Sequence, residues 1–234
     1  VNDEKLVVFG VKDLPEVVPG DDVGELIASR VELNFGDVVV VTQKIVSKAE
    51  GRIVEIDTSD PEAKRNLAES EAVRVLRRRG ELVITETRHG FICANSGVDL
   101  SNVGGGRAVL LPIDPDRSAR RIRDVLLAKA HVAVGVIISD TFGRAWRRGL
   151  TDVAIGCAGI AGVVDLRGEL DATGRSLVST EVCVADEIAG AAELVMGKSS
   201  GIPVAVVRGV HPTWLRESSV RREIVRTPAE DLFR

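Results

Sequence analysis

The 234-residue chain has no tyrosine, one methionine, two tryptophans and five phenylalanines, so aromatics make up only 3% of it. Single-stranded nucleic acids are held on aromatic stacking faces, and that class of function is excluded at once. A basic surplus is missing as well: 31 Lys and Arg against 35 Asp and Glu leave a formal net charge of -4. Nothing global therefore draws the chain to nucleic acid or to an anionic membrane, although local basic clusters can still hold phosphates. Cysteine is scarce and odd in number. Cys93, Cys157 and Cys183 stand far apart in apolar surroundings, with no CxxC pair and no zinc spacing, which predicts buried, reduced thiols. The longest nearly apolar run, 154–164, is interrupted by glycine and is too short to span a bilayer. The first residues lack the apolar core of a signal segment, and a cytoplasmic location is expected. With 44% hydrophobic and 28% charged residues, the composition is otherwise that of an ordinary globular domain whose core is Val, Leu, Ile and Ala.

What is present is patterned. Val38, Val39, Val40 and Val41 form a continuous β-branched run that reads as a strand buried on both faces. The stretch 132–138 reads likewise and is predicted to leave its sheet at Ser139. Shorter strands are predicted at 6–11, 52–56, 82–85, 91–94, 108–111 and 203–208. A helix is predicted to open on Asp21 or Asp22 and run to 33. Another is predicted from Ser59 or Asp60 with Pro61 to 79, stopped by Gly80, with Leu67, Val73 and Leu76 on its inner face. Asp114-Pro115 opens a third, to 129. Over 180–196, Val184, Ile188, Ala191, Ala192 and Val195 keep helical spacing. The small-residue segment 154–164 permits close packing, inside the domain or between subunits, and 165–176 reads as a polar loop or hairpin. Beyond 210 apolar periodicity fades. The expected organisation is an α+β domain over 1–210, followed at 211–234 by a tail or the start of an interdomain linker.

Several polar groups fall where chemistry could be placed. Asp140 and Thr141 follow the 132–138 strand, and a carboxylate beside a hydroxyl at the carboxyl end of a buried strand suits a hard cation. Gly143, Arg144, Arg147 and Arg148 come next and can meet phosphate or carboxylate; a capping aspartate with a solvated basic turn is the plainer alternative. Lys44 and Lys48 either cradle a polyphosphate or face solvent on a helical turn. The glycine- and oxygen-rich loop 94–106 holds Asp99 and Asn102 three residues apart. It does not follow the dinucleotide pattern G-x-G-x-x-G, and a long turn with local Asp and Asn bonds also explains it. Glu181, Asp186 and Glu187 suit the positive end of the 180–196 helix without any further role. His89 reads as a surface histidine in a turn. Gly197-Lys198-Ser199 has the ending of a P-loop, but Ala192 stands where that motif requires glycine.

These residues favour metal-assisted chemistry on a phosphorylated ligand without naming a substrate. The blocks GDDVGELI, VVVVTQKIVSKAEGR, GFICANSGVDLSNVG, ISDTFGRAWRRGLTDVAIGCAGI, TEVCVADEIAGAAELVMGK and GIPVAVVRG, in that order, resemble the coenzyme F420-0:L-glutamate ligase family, the F420 γ-glutamyl ligases. The resemblance implies a mixed-sheet α+β fold in an intertwined homodimer. It also implies GTP-dependent addition of one or more γ-linked L-glutamates to coenzyme F420-0 or a related deazaflavin precursor. Nucleotide contacts are implied at Leu14, Pro15, Glu16, Val17, Gln43, Lys44, Lys48 and Asn102, and at Ser179, Thr180, Glu181 and Asp186. Two divalent ions, Mg²⁺ or Mn²⁺, are implied at Asp99, Asp140, Thr141 and Glu181, with K⁺ a further expectation. Asp99, Asp140, Lys48 and Arg144 are then the catalytic candidates. Gln43-Lys44 replaces a pair of small hydroxyl residues usual in the family. Bacterial members often carry a nitroreductase-like, flavin-binding domain after this one, and 228–234 resembles the start of that junction. Another nucleotide-dependent carboxylate ligase or kinase, or a non-catalytic nucleotide-binding domain, remains the alternative.

Overall fold

The computed structural model describes residues 5–100 and 105–231. In chain order the regular elements are β1 (Val7–Gly10), α1 (Val23–Ala28), β2 (Val38–Thr42), α2 (Gln43–Ala49), β3 (Ile53–Glu55), α3 (Ala63–Ser70), β4 (Ala72–Arg79), β5 (Leu82–Thr87) and β6 (Ile92–Ala94). They continue with β7 (Arg107–Val109), α4 (Pro115–Ala130), β8 (Gly135–Arg144), β9 (Arg147–Ala158), β10 (Val164–Asp165), β11 (Glu181–Val182), α5 (Val184–Met196), β12 (Val204–Arg208) and α6 (Val220–Glu223). This is the α+β class with a mixed sheet.

The main sheet has the order β1-β12-β2-β8-β9. Only β2 and β8 run parallel, in the register Val38↔Gly135 to Thr42↔Ser139. Both are covered on two sides, which is why Val38 to Val41 and Val136 to Ile138 are apolar without alternation and fully buried. The helices α4 and α5 pack on the sheet through Ala119, Ile122 and Leu126, and through Ile188, Ala189 and Ala192. Asp114 caps α4 by accepting the Arg117 N–H, with Pro115 in the first turn. A smaller core of Ala68, Val83, Val98, Ala108 and Leu110 sits under α3 and the sheets β4-β5-β6 and β3-β7.

Gly156 explains how the small-residue segment is used. A Cβ there would collide with the Pro115 backbone, so the glycine lets the start of α4 lie directly on β9. Ala154, Cys157 and Ala158 are buried beside it. Within the chain, then, this segment packs against its own helix.

Five expectations are corrected. The helix predicted to reach 79 ends at Ser70, and Ala72–Arg79 is a strand paired antiparallel with β5; Val73 and Leu76, expected on an inner face, are exposed. The strand predicted to stop at Ser139 continues through Asp140 and Thr141 to Arg144 and turns into β9. The predicted 180–196 helix begins only at Val184, because Glu181 and Val182 pair with Asp165 and Val164. The first helix ends at Ala28, short of the expected 33. Finally, residues 211–225 do not form a tail. Val220 is buried, Ile224 and Val225 pack on the main core, and the Asp116 carboxylate on α4 accepts the N–H groups of Cys157 and Val220. Glu223 accepts those of Gly162 and Val163.

Candidate active site

Three loops and strands converge where β2 and β8 end. From α2, Lys44 reaches Asp99 in an ion pair of 2.8 Å. The backbone holds Asp99 by reciprocal hydrogen bonds with Val109 at the head of the 105–111 segment. Asp140 lies one residue beyond the β2–β8 parallel pairing. Burial pushes its carboxyl up to about 7, and the negative charges of Asp152 and Asp99 add to the rise, while the Thr141 N–H and Lys44 oppose it. Three carboxylates therefore act on one another here, with Lys44 a cation that opposes them at Asp140.

The neighbouring Thr141 hydroxyl donates to Asp152 Oδ1 at 2.7 Å. Asp152 is 3% exposed, lies opposite Thr141 in the hairpin register, and also accepts the Ser139 hydroxyl at 3.0 Å. The Lys198 ammonium closes this group from outside, 2.9 Å from Asp152 and 2.7 Å from Glu193. Asp152 and Lys198 were not identified from the sequence as site residues. Asp152 falls inside the block ISDTFGRAWRRGLTDVAIGCAGI but meets Thr141 only through strand register, while Lys198 ends the block TEVCVADEIAGAAELVMGK and stood in a motif rejected for its missing glycine.

One turn further along α2, Lys48 is only 8% exposed and pairs with Glu16 at 2.5 Å. This contact carries the 14–17 loop to α2, with Val17 buried, Leu14 against the main core and Pro15 exposed. The solvated-turn reading of the two lysines fails for α2, whose Gln43, Ile45, Val46, Ser47 and Lys48 are all buried. Gln43 accepts the Ser47 hydroxyl at 2.9 Å, while its amide nitrogen is buried with no hydrogen-bond partner. A buried amide donor left unmet is costly and marks a place where an acceptor on a ligand would be welcome.

Other expected residues fall elsewhere. Arg144 is exposed at the turn between β8 and β9, its guanidinium on the Arg148 carbonyl; four residues of strand put it about 13 Å beyond Asp140. Glu181 is exposed on β11 beside Arg167. Ser179 is exposed and Thr180 half-buried in the approach to β11. Asp186 accepts the Ala154 N–H at 2.8 Å, tying α5 to β9, and burial raises its carboxyl. Asn102 lies outside the described residues. His89, read as a surface residue, is half-buried, stacks on Phe91 and bonds the Pro112 and Ile113 carbonyls.

A divalent cation can be tested against this set. Among the described residues no group of three or more His, Cys, Asp or Glu side chains could hold a metal. Asp99 and Asp140 nevertheless offer hard oxygen donors, with excess negative charge that keeps Asp140 hard to ionise, while the Thr141 hydroxyl, next in the strand, lies with Asp152 and Lys198. Mg²⁺ is commonly bound by one or two carboxylates, the remainder of its shell being water and substrate phosphate. The donors fit on that basis.

The family model described as F420-0:Gamma-glutamyl ligase matches residues 11–209. The chain belongs to this family. A protein of Methanopyrus kandleri named coenzyme F420:L-glutamate ligase is 43% identical to it over 94% of both chains. A Methanothermobacter thermautotrophicus protein of the same name is 40% identical over 97% of this chain and 98% of its own, and one of Archaeoglobus fulgidus is 41% identical over 98% and 97%. The F420 ligase match contains Lys44, Lys48, Asp99, Asp140, Thr141, Asp152 and Lys198 and ends just before the 211–225 segment. No helix among the described residues is long and apolar enough to cross a membrane.

Proposed function

We propose that the chain is a GTP-dependent ligase that joins L-glutamate to coenzyme F420-0 or a closely related deazaflavin precursor. The observation that carries the reading is the Asp99–Asp140 pair beside Lys44. A carboxylate pushed up to about 7 by burial and two neighbouring carboxylates is a site that a cation and a phosphorylated ligand would complete. The relatives are named for coenzyme F420 and L-glutamate, which supplies the acceptor and the amino acid.

Amide formation needs an activated acyl group. An oxygen of the precursor carboxylate attacks the γ-phosphorus of GTP, the bond to the β-phosphate oxygen breaks, and GDP departs. The glutamate amine then attacks the acyl carbon, loses a proton, and phosphate leaves with the original carboxylate oxygen. Asp99, Asp140 and Thr141 would hold the divalent ions, Mg²⁺ or Mn²⁺, whose charge neutralises phosphate oxygens. Lys48, brought to the 14–17 loop by Glu16, meets anionic oxygens of the nucleotide, and the Gln43 amide offers it a donor. No covalent nucleophile is needed. Burial is the largest influence on all three thiols and pushes Cys93, Cys157 and Cys183 each up to about 12, so none is a ready thiolate at neutral pH.

The expected homodimer gains support from the β8–β9 tip, where Trp146 is 86% exposed and Leu150 is exposed close by, an apolar surface suited to a second copy. Precursor labelled with ¹⁸O in the carboxylate tests the chemistry: one labelled oxygen is expected in the released phosphate for each glutamyl added. Glutamyl product with unlabelled phosphate would overturn the acyl-phosphate route.

A further inference from the structure

Thr141 presents one hydrogen and two lone pairs. The hydrogen is committed to Asp152 Oδ1. The second Asp152 oxygen is fixed by Ser139, so the carboxylate cannot rotate freely. Lys198 donates to Thr141 Oγ1 at 2.5 Å and to Asp152 at 2.9 Å, with Glu193 as its third oxygen contact. The exposures differ sharply: the Lys198 side chain is 57% exposed and that of Asp152 is 2% exposed. The acceptor is rigid and built into the hairpin, whereas the ammonium sits at the mouth on a flexible stem and can leave.

We propose that Asp152 is a positioning residue that aims the Thr141 hydroxyl oxygen at an incoming divalent cation, and that Lys198 is the tethered positive charge which cation displaces. A ligating hydroxyl must turn its lone pair to the metal and its hydrogen elsewhere. A carboxylate that takes that hydrogen both orients the oxygen and makes it a better donor, as outer-shell partners of metal ligands generally do. Lys198 meanwhile balances Asp152 and occupies one of the two lone pairs of Thr141. Its departure leaves the oxygen oriented and free. The inference rests on the reading of Thr141 as a metal-holding residue.

The test is the affinity of the full chain for Mn²⁺, followed by the paramagnetic resonance of the free ion, with thermal melts confirming folding. Loss of Asp152 in D152A is expected to weaken binding about ten- to hundredfold. In D152N, whose amide oxygen still accepts from Thr141, most of the affinity is expected back. K198M removes the competing charge and is expected to tighten binding roughly two- to fivefold, the worth of a half-exposed ion pair. In a T141V background, D152A should cost nothing further, because Asp152 acts through the hydroxyl. If D152A does not fold, K198M alone decides, and unchanged or weaker binding overturns the inference. Weak binding by T141V with unaltered binding by D152A also overturns it, leaving the metal reading intact. A Mn²⁺ affinity unchanged in both T141V and D140N overturns the metal reading and this inference with it. Additive losses in T141V and D152A would make Asp152 a direct ligand and refute its positioning role.

Discussion

Glu223 clasps the C-terminal segment to the body, and removing it tests whether residues 211–225 belong to the domain. Its carboxylate accepts the Gly162 and Val163 N–H groups, both at 3.1 Å. It also takes two bonds from the Arg216 guanidinium at 2.6 and 3.0 Å. Burial alone would raise its pKa, but Arg216 and these donors outweigh burial and hold it at about 2 against an ordinary 4.5. At 1.36 kcal/mol per unit the depression is worth about 3 kcal/mol, and partial exposure reduces this to about 2–3 kcal/mol. Because the folded-state value is the lower one, this stability is complete above the unfolded pKa. It is lost as pH falls from about 4.5 through about 2. Glu223→Ala should therefore lower the unfolding free energy by about 2–3 kcal/mol at pH 7, or the melting temperature by roughly 5–10 °C for a chain of this size. Urea unfolding at pH 7, 4 and 2.5 reads it directly. The gap between wild type and variant should narrow toward pH 2. An equal gap at every pH, or no gap at pH 7, would refute the clasp.

Other consequences are equally concrete. Asp140→Asn should reduce turnover by at least about a hundredfold, yet keep or raise the melting temperature of the metal-free protein at pH 8. It replaces a carboxyl whose raised pKa opposes stability as pH climbs from about 4 through about 7; a marked loss of stability there would contradict the charge crowding. Lys48→Met should weaken GTP binding about tenfold or more by isothermal titration, given the strength of charge-assisted bonds; an unchanged dissociation constant would remove Lys48 from the nucleotide site. Gly156→Ala should destabilise by about 1–3 kcal/mol as an overpacking change, since the added methyl meets Pro115 backbone. A neutral result in urea would mean the α4–β9 contact has slack. Asp114→Ala should cost about 1 kcal/mol through loss of the α4 cap.

The sequence was most legible where local signals and burial agree. The Val38 to Val41 run, the Asp114-Pro115 opening of α4 and the apolar spacing within α5 each state their structure without help from distant residues. It was least legible where pairing decides. Val73 and Leu76 are three apart and mimic a helical face, but their segment turns at Gly80, which has positive φ, and pairs with β5. Ser139, Asp140 and Thr141 look like the end of a strand because they are polar. Residues 152–154 of β9 keep them in the sheet, and nothing local announces that partner. The same long-range register hides Asp152, eleven residues beyond Thr141 in the chain yet directly opposite it. Lys44, Asp99, Asp140 and Thr141 were legible as polar groups at the ends of buried strands and in a glycine-rich loop, and the family resemblance gave them roles. Arg144, read from its residue type, lies at the β8–β9 turn on the Arg148 carbonyl, and Glu181, implied by the resemblance, pairs with Arg167 on β11.

The central claim is that this chain ligates glutamate through the Asp140 site. The deciding measurement is mass spectrometry of the deazaflavin precursor after incubation with GTP, L-glutamate and Mn²⁺, for wild type and Asp140→Asn side by side. Wild type is expected to add one or more glutamyl masses with one GDP released per addition, and the variant almost none. Equal glutamylation by both proteins, or GTP consumption by wild type without any glutamyl product, would contradict the account.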